Sequence, residues 1–129
     1  MASGLPAATG DVLTAATVNG LVTFTVNTAQ TADYTAVLAD QYQTLTPMNK
    51  ATAIAFKIPT NASVAFPVGT ALTVLNIGVG TCTISAVTSG TTTVLSAGAV
   101  AASPTLAQYK TAVCIKTATD TWYVVGGIA

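Results

Sequence analysis

The chain has 129 residues, of which 51% are hydrophobic and 6% are charged, whereas an ordinary soluble domain has about 25% charged residues. Four Lys balance four Asp, and the sequence contains no His, Arg or Glu. These absences exclude most catalytic constellations and most metal sites, so we expect a structural protein with no enzymatic activity and no cofactor. The length suits a single domain with one hydrophobic core.

The charge pattern also limits the partners. Scattered lysines on a chain of net charge zero cannot form the basic patch that releases counterions from nucleic acid, so we expect no nucleic-acid partner. We expect no membrane partner, because every apolar stretch is interrupted well before the roughly 20 residues that a spanning helix needs. The first residues lack the basic and apolar regions of a secretory signal, which predicts synthesis in a cytoplasm. A surface with so little charge favours self-association.

Residues 1–20 are predicted to form an N-terminal arm. Val12 to Asn19 could form one or two helical turns, with Asp11 as N-cap and Gly20 at the C′ position. Because such a short helix is marginal in water, the arm must pack either on its own domain or on another subunit. We therefore expect an arm over 1–20 and a single domain over 21–129.

From residue 21 onward the hydrophobic period is two, which is typical of strands with one buried face. The clearest case is the alternation of Val22, Phe24 and Val26 with polar residues. The further predicted strands are Tyr34–Ala39, Ala53–Ile58, Leu72–Ile77, Cys82–Ala86, Thr92–Ser96, Tyr109–Thr117 and Thr121–Val125. Turn residues separate these strands, among them Gly78-Val79-Gly80, which we interpret as a hairpin turn.

Short strands at regular spacing predict an all-β fold, an antiparallel β-sandwich or partly closed barrel with jelly-roll-like connectivity. Adjacent residues of a strand face opposite ways, so one of Trp122 and Tyr123 should anchor the core while the other lies at a rim or subunit contact. Cys82 and Cys114 are interpreted as small buried hydrophobes, with a disulfide between facing strands as the alternative.

The remaining polar candidates are given structural roles. Asp33, Asp40 and Asp120 each lie beside a strand end, where an Asp side chain can accept hydrogen bonds from nearby backbone. Asn61-Ala62-Ser63 fits the glycosylation acceptor triplet, which is a match of low specificity, and we assign it no role.

Three stretches of the chain resemble a known class of protein. Residues 10–19, GDVLTAATVN, resemble the N-terminal segment of many small structural proteins of tailed bacteriophages. Residues 33–69 are similar to a β-domain that recurs in phage virion proteins. The similarity includes an Ile-Pro pair followed by the pattern Asn-x-Ser-Val-Ala-Phe-Pro-x-Gly-Thr, whose last residue is Thr70. Ile115-Lys116-Thr117 followed by Trp122 to Gly126 also resembles the last hairpin of that domain.

The resemblance implies a component of the virion, made in the host cytoplasm. Because the chain has one domain and a short arm, we expect a capsid decoration or cement protein on the capsid surface, a homotrimer that bridges capsomers of the major capsid protein. The alternative is a receptor-binding module of a tail fibre or head fibre. The residues expected to contact the capsid or a neighbouring subunit are Leu5, Pro6, Val12, Leu13 and Val18, and the alternative for them is that they cap their own domain.

Overall fold

The described part of the chain forms ten strands in two sheets. The computed structural model describes residues 15, 24–41 and 43–129. The large sheet has the order β1-β3-β5-β9-β10-β7 and the small sheet the order β2-β4-β6-β8. The bounds are β1 Thr25–Val26, β2 Tyr34–Thr35, β3 Thr44–Met48, β4 Ile54–Ile58, β5 Ala71–Asn76, β6 Cys82–Ala86, β7 Thr93–Ser96, β8 Thr105–Leu106, β9 Thr111–Ala118 and β10 Thr121–Gly126, with a 3₁₀ helix at Leu38–Gln41.

The predicted all-β class is confirmed, but the strand directions differ from the expected antiparallel, jelly-roll-like order. From β1 to β9 each strand lies in the sheet opposite to the one before it, and only the β9–β10 hairpin stays in one sheet. Because two crossovers restore the original direction, strands two apart among the first six pair in parallel: β1 with β3, β3 with β5, β2 with β4, and β4 with β6. The pairs β6–β8, β5–β9 and β9–β10 are antiparallel. The first six strands therefore wind as a coil of three turns, and both sheets are mixed.

The glycines at 78 and 80 belong to this coil and do not form the predicted hairpin turn. They lie in the corner that carries the chain from β5 to β6. The backbone N–H of Gly78 donates to the Met48 carbonyl at 3.2 Å, and that of Gly80 donates to the Lys50 carbonyl at 2.9 Å. The corner is thus stacked on the preceding corner of the coil, and parallel pairing continues around the bend.

The inner faces of both sheets contribute to a single hydrophobic cluster, so the two sheets pack against each other in a sandwich-like arrangement. Trp122 is 1% exposed within this cluster and Tyr123 is 44% exposed on the opposite side of β10, as the alternation predicts. Cys82 and Cys114 are both buried and both free, which confirms the interpretation as buried hydrophobes and not the disulfide.

Two strands were not predicted. β3 contains Pro47, a residue that normally argues against a strand because it cannot donate to a ladder. The other, β8, has only two residues. The predicted strand Tyr34–Ala39 is real only over Tyr34–Thr35, after which the chain turns into the 3₁₀ helix. The predicted helix from Val12 to Asn19, except Ala15, and the start of the first strand up to Thr23 lie outside the described residues.

Candidate interaction surface and buried polar sites

The outer face of the large sheet is apolar over most of its width. One row of register partners crosses β1, β3, β5, β9 and β10: Val26, Leu45, Thr73, Val113 and Val125. At the two ends of this row, Val26 is 62% exposed and Val125 is 49% exposed. Burial alternates along β5, β9 and β10, with the neighbouring positions buried in the core, which places the row on the outer face.

A second row lies beside the first and reaches the far edge of the sheet. It joins Ala71, Ile115, Tyr123 and Leu95 across β5, β9, β10 and β7. The outward positions of the large sheet in the described chain carry only Leu, Val, Ile, Ala, Pro, Tyr and Thr, with no charged side chain. This uncharged surface, the two rows together, is called the outer apolar face below.

The small sheet differs. The outward positions of its strands are Thr35, Ala55, Lys57, Thr83, Ser85 and Thr105. A polar outer face on one sheet is the usual outcome for a sheet that packs on a core with one side and meets water with the other. The polar outer face of the small sheet shows that the amino-acid composition alone does not make every outward face of this protein apolar.

At the end of the outer apolar face lies a groove of about 480 Å³. Leu95, Tyr123 and Val125 line it together with Ile128, and the remaining lining comes from small residues of β7, β10 and the segments that follow them. β7 is the edge strand of the sheet, so the groove opens beside an edge that has no strand beyond it in the described chain. Its lining is mostly apolar.

The interface residues predicted from the sequence, namely Leu5, Pro6, Val12, Leu13 and Val18, lie outside the described residues. The outer apolar face was not predicted. A signal for it exists in the sequence: the runs Ala112 to Ile115 and Trp122 to Val125 are apolar without interruption. A strand of that kind is apolar on both faces and is normally covered on both.

A lysine is buried on the inner side of β9. Lys116 is 2% exposed, and its Nζ donates to Asn61 Oδ1 at 2.6 Å and to the Phe66 carbonyl at 2.7 Å. The same nitrogen lies 5.9 Å from the centroid of the Trp122 ring, whose edge-to-face partner is Phe66 at 5.5 Å between centroids. Both hydrogen-bond acceptors are neutral, so the ammonium is buried against amide oxygens and aromatic rings.

Asp120 supports this site from the turn between β9 and β10. Its Oδ1 accepts the backbone N–H of Asn61 at 2.7 Å and the hydroxyl of Thr92 at 3.2 Å. Its φ of 56° is a left-handed conformation that Asp tolerates better than most residues. The expectation of bonds to nearby backbone is wrong here, because Asn61 is 59 residues away. The same expectation is wrong for Asp33, because its carboxylate accepts the N–H of Ala55, 22 residues away, at 3.0 Å.

Asp40 is the centre of a second polar cluster and is 3% exposed. Oδ2 accepts the Tyr34 hydroxyl at 2.7 Å and the Val37 N–H at 2.9 Å, and Oδ1 accepts the Asn27 amide at 2.9 Å. Asn27 also donates to Thr46 Oγ1 at 3.1 Å. Burial and the hydrogen bond to Asp40 both raise the pKa of the Tyr34 hydroxyl. The cluster ties β2 and the 3₁₀ helix to the large sheet.

The two thiols carry no sign of reactivity. Burial raises the pKa of Cys82 to about 11 and that of Cys114 to about 12, since both lie in the core. A reactive thiol is instead a partly exposed group whose pKa is lowered by neighbouring positive charge. Their part is therefore to fill the core between the sheets.

The described residues contain neither a metal-binding cluster nor a membrane-spanning helix. In that part of the chain no three His, Cys, Asp or Glu side chains are grouped as a metal would require. None of its helices has the length and hydrophobicity to cross a membrane. No family model, curated protein or solved structure matches the chain in the comparisons.

Proposed function

We propose that this protein is a structural component of a tailed-bacteriophage virion, specifically a decoration protein that binds the capsid surface and stabilises it. The virion assignment depends on the sequence resemblance of residues 10–19, of 33–69 and of the last hairpin. The structural observation that supports a role in assembly is the outer apolar face of the large sheet. Monomeric proteins rarely leave large contiguous apolar patches in water.

The proposed occupant of the outer apolar face is a further copy of the same chain, in a homotrimer. A face without charge does not repel a copy of itself, and the chain has no net charge to oppose association. Six strands spaced about 4.8 Å apart, with about five residues each, give a face of roughly 400 Å². One partner in a stable complex buries about 800 Å², so the face supplies part of the contact.

The contact with the capsid is assigned to the N-terminal residues. In this proposal Leu5, Pro6, Val12, Leu13 and Val18 bind the major capsid protein, and they bridge adjacent capsomers. A protein that binds only the assembled shell stabilises it by mass action, without any catalytic step. The role therefore needs neither a cofactor nor an ionisable site, which agrees with the scarcity of charged residues.

The experiment that tests the proposal is a count of copies per virion. Purified particles are analysed by quantitative mass spectrometry, with the major capsid protein as the internal standard. Hundreds of copies are expected for a protein that covers the shell. A few tens of copies or fewer would overturn the decoration role in favour of the fibre module, and absence from the particle would overturn the virion assignment.

A second experiment tests the arm. Capsids carrying the full chain are compared with capsids offered a chain that lacks residues 1–20, and retention of the protein and thermal release of DNA are measured. We expect the truncated chain to bind at least tenfold more weakly and to give no protection. Equal binding by both chains would contradict the assignment of the capsid contact to these residues.

A further inference from the structure

The side chains of the buried Lys116 and the half-buried Asn61 are in direct contact. An amine can attack the carbon of a carboxamide, and the product is a new amide. The Lys116 nitrogen lies 2.6 Å from Asn61 Oδ1. Because an amide C=O bond is about 1.2 Å long, the carbon of that carboxamide is no more than about 3.8 Å from the nitrogen. Reacting atoms in a near-attack arrangement are about 3 to 3.5 Å apart.

Both reactants are held in place by other contacts. The nitrogen also donates to the Phe66 carbonyl at 2.7 Å, which fixes the end of the lysine side chain. The Asn61 backbone is fixed by its N–H bond of 2.7 Å to Asp120. Positioning two groups in this way replaces an encounter in solution with a unimolecular step and can remove much of the barrier.

The surroundings favour the amide product. Lys116 is 2% exposed, and its Nζ lies 5.9 Å from the centroid of the Trp122 ring. A buried ammonium without a carboxylate partner is costly, because neutral acceptors replace its hydration only in part. Conversion of the side chain to an amide removes that charge from the core.

We propose that Lys116 and Asn61 form an intramolecular isopeptide bond after the chain has folded. Nζ of Lys116 attacks Cγ of Asn61 and forms the Nζ–Cγ bond, and the Cγ–Nδ2 bond breaks. Two protons of the Lys116 ammonium group pass to the departing nitrogen, which leaves as an ammonium ion. Atoms and electrons balance with no oxidant, reductant or further reactant.

The bond would join the segment between β4 and β5 to the middle of β9. It closes a loop between residues 55 apart in sequence, and a cross-link of that kind restricts the unfolded chain as a disulfide does. The cross-link does not depend on the proposed function. Its test uses only the purified chain, so failure of one proposal leaves the other standing.

Mass spectrometry of the denatured wild-type chain tests the bond directly. Loss of ammonia lowers the mass by about 17 Da. Trypsin cuts after lysine, and an acylated Lys116 is not cut. We therefore expect one species in which residues 58–110 are joined to 111–129, about 17 Da lighter than the two peptides together. Separate peptides 58–110, 111–116 and 117–129 at full mass would overturn the proposal.

Two variants serve as controls for the mass measurement, and one side reaction must be distinguished from the cross-link. Lys116→Arg keeps the charge but cannot form this amide, so full mass and cleavage after residue 116 are expected. Lys110 is an exposed lysine directly before the same strand, and Lys110→Arg should keep the joined species. Asn61 could also lose ammonia by forming a succinimide with its own backbone. A mass loss accompanied by normal cleavage after Lys116 would identify that reaction and overturn the cross-link.

Discussion

A side-chain carbon on Gly80 would lie 1.9 Å from the carbonyl oxygen of Thr52. The two residues are 28 positions apart, the same offset that separates Leu45 from Thr73 in the large sheet and Ile54 from Cys82 in the small sheet. Gly80 therefore occupies the point where one turn of the coil lies directly on the next. No side chain fits there without moving backbone, because the contact is with a main-chain carbonyl.

Gly80→Ala is expected to lower the free energy of unfolding by at least about 2 kcal/mol, because the new methyl group forces the stacked corners apart. The measurement is urea unfolding followed by Trp122 fluorescence. Val79→Ala is the matched control in the same corner, since Val79 is 74% exposed, and it should change stability by less than about 0.5 kcal/mol. Similar stability of the two variants would show that the corners are not tightly stacked.

The coil explains which parts of the fold the sequence could predict. The strands β4, β5, β6, β9 and β10 were predicted from short alternating or apolar segments between turn residues, and their predicted bounds agree with the structure to within about two residues. The connections between them are not local. The earlier turn of the coil has offsets of 19 residues in the large sheet, Thr25 to Thr44, and 22 in the small sheet, Tyr34 to Phe56. Unequal turns leave no repeat in the sequence, so parallel pairing could not be inferred.

Asp40→Ala is expected to destabilise the protein by about 3 kcal/mol, since it removes the acceptor of three hydrogen bonds in a buried position. Tyr34→Phe, which removes one of those bonds, should cost about 1 kcal/mol. Asp33→Ala is the control: Asp33 is exposed and accepts a single bond, and its loss should cost less than about 1 kcal/mol. Equal effects of Asp33→Ala and Asp40→Ala in chemical denaturation would contradict the central role of Asp40.

Stability should fall as the pH rises above about 9. A thiol in the unfolded chain has a pKa of 9.0, whereas burial raises the pKa of Cys82 to about 11 and that of Cys114 to about 12. Between these values the unfolded chain loses protons that the folded chain keeps, so each thiol lowers stability by at most about 1.4 kcal/mol per pH unit. The contribution is fully present below pH 9.

The measurement for this pH dependence is the urea midpoint between about pH 8 and pH 10.5. Replacement of both cysteines by alanine should flatten the decline, while Tyr34→Phe should reduce only the part above about pH 10, because the raised Tyr34 pKa acts in the same direction. An unchanged slope in the cysteine double variant would show that the buried thiols are not its source.

In the candidate sites, as in the fold, the sequence predicted what neighbouring residues decide and not which distant residues come into contact. Alternation within one strand correctly predicted that only one of Trp122 and Tyr123 faces the core, and the structure shows that this residue is Trp122. Lys116 and Asn61 are 55 residues apart, and neither has a neighbour in sequence that signals their contact. Asn61 carried only a weak glycosylation pattern, and Lys116 belonged to four apparently scattered lysines. The two side chains are in contact because the segment after β4 packs against β9. The hydrophobic periodicity of the sequence does not predict that packing.

Charged substitutions on the outer apolar face test whether it binds further copies of the chain. Val125→Lys and Tyr123→Lys introduce a charge on the outer apolar face beside its groove, and association should weaken at least tenfold because the ammonium must be desolvated there. Thr83→Lys and Ser85→Lys place the same charge on the polar outer face of the small sheet and should leave association unchanged. Light scattering after size-exclusion chromatography gives the oligomeric state, and thermal unfolding verifies that each variant is folded. If the small-sheet variants dissociate and the large-sheet variants do not, the contact between copies lies on the opposite side of the molecule. A wild-type chain that remains monomeric at all concentrations rules out the homotrimer in solution.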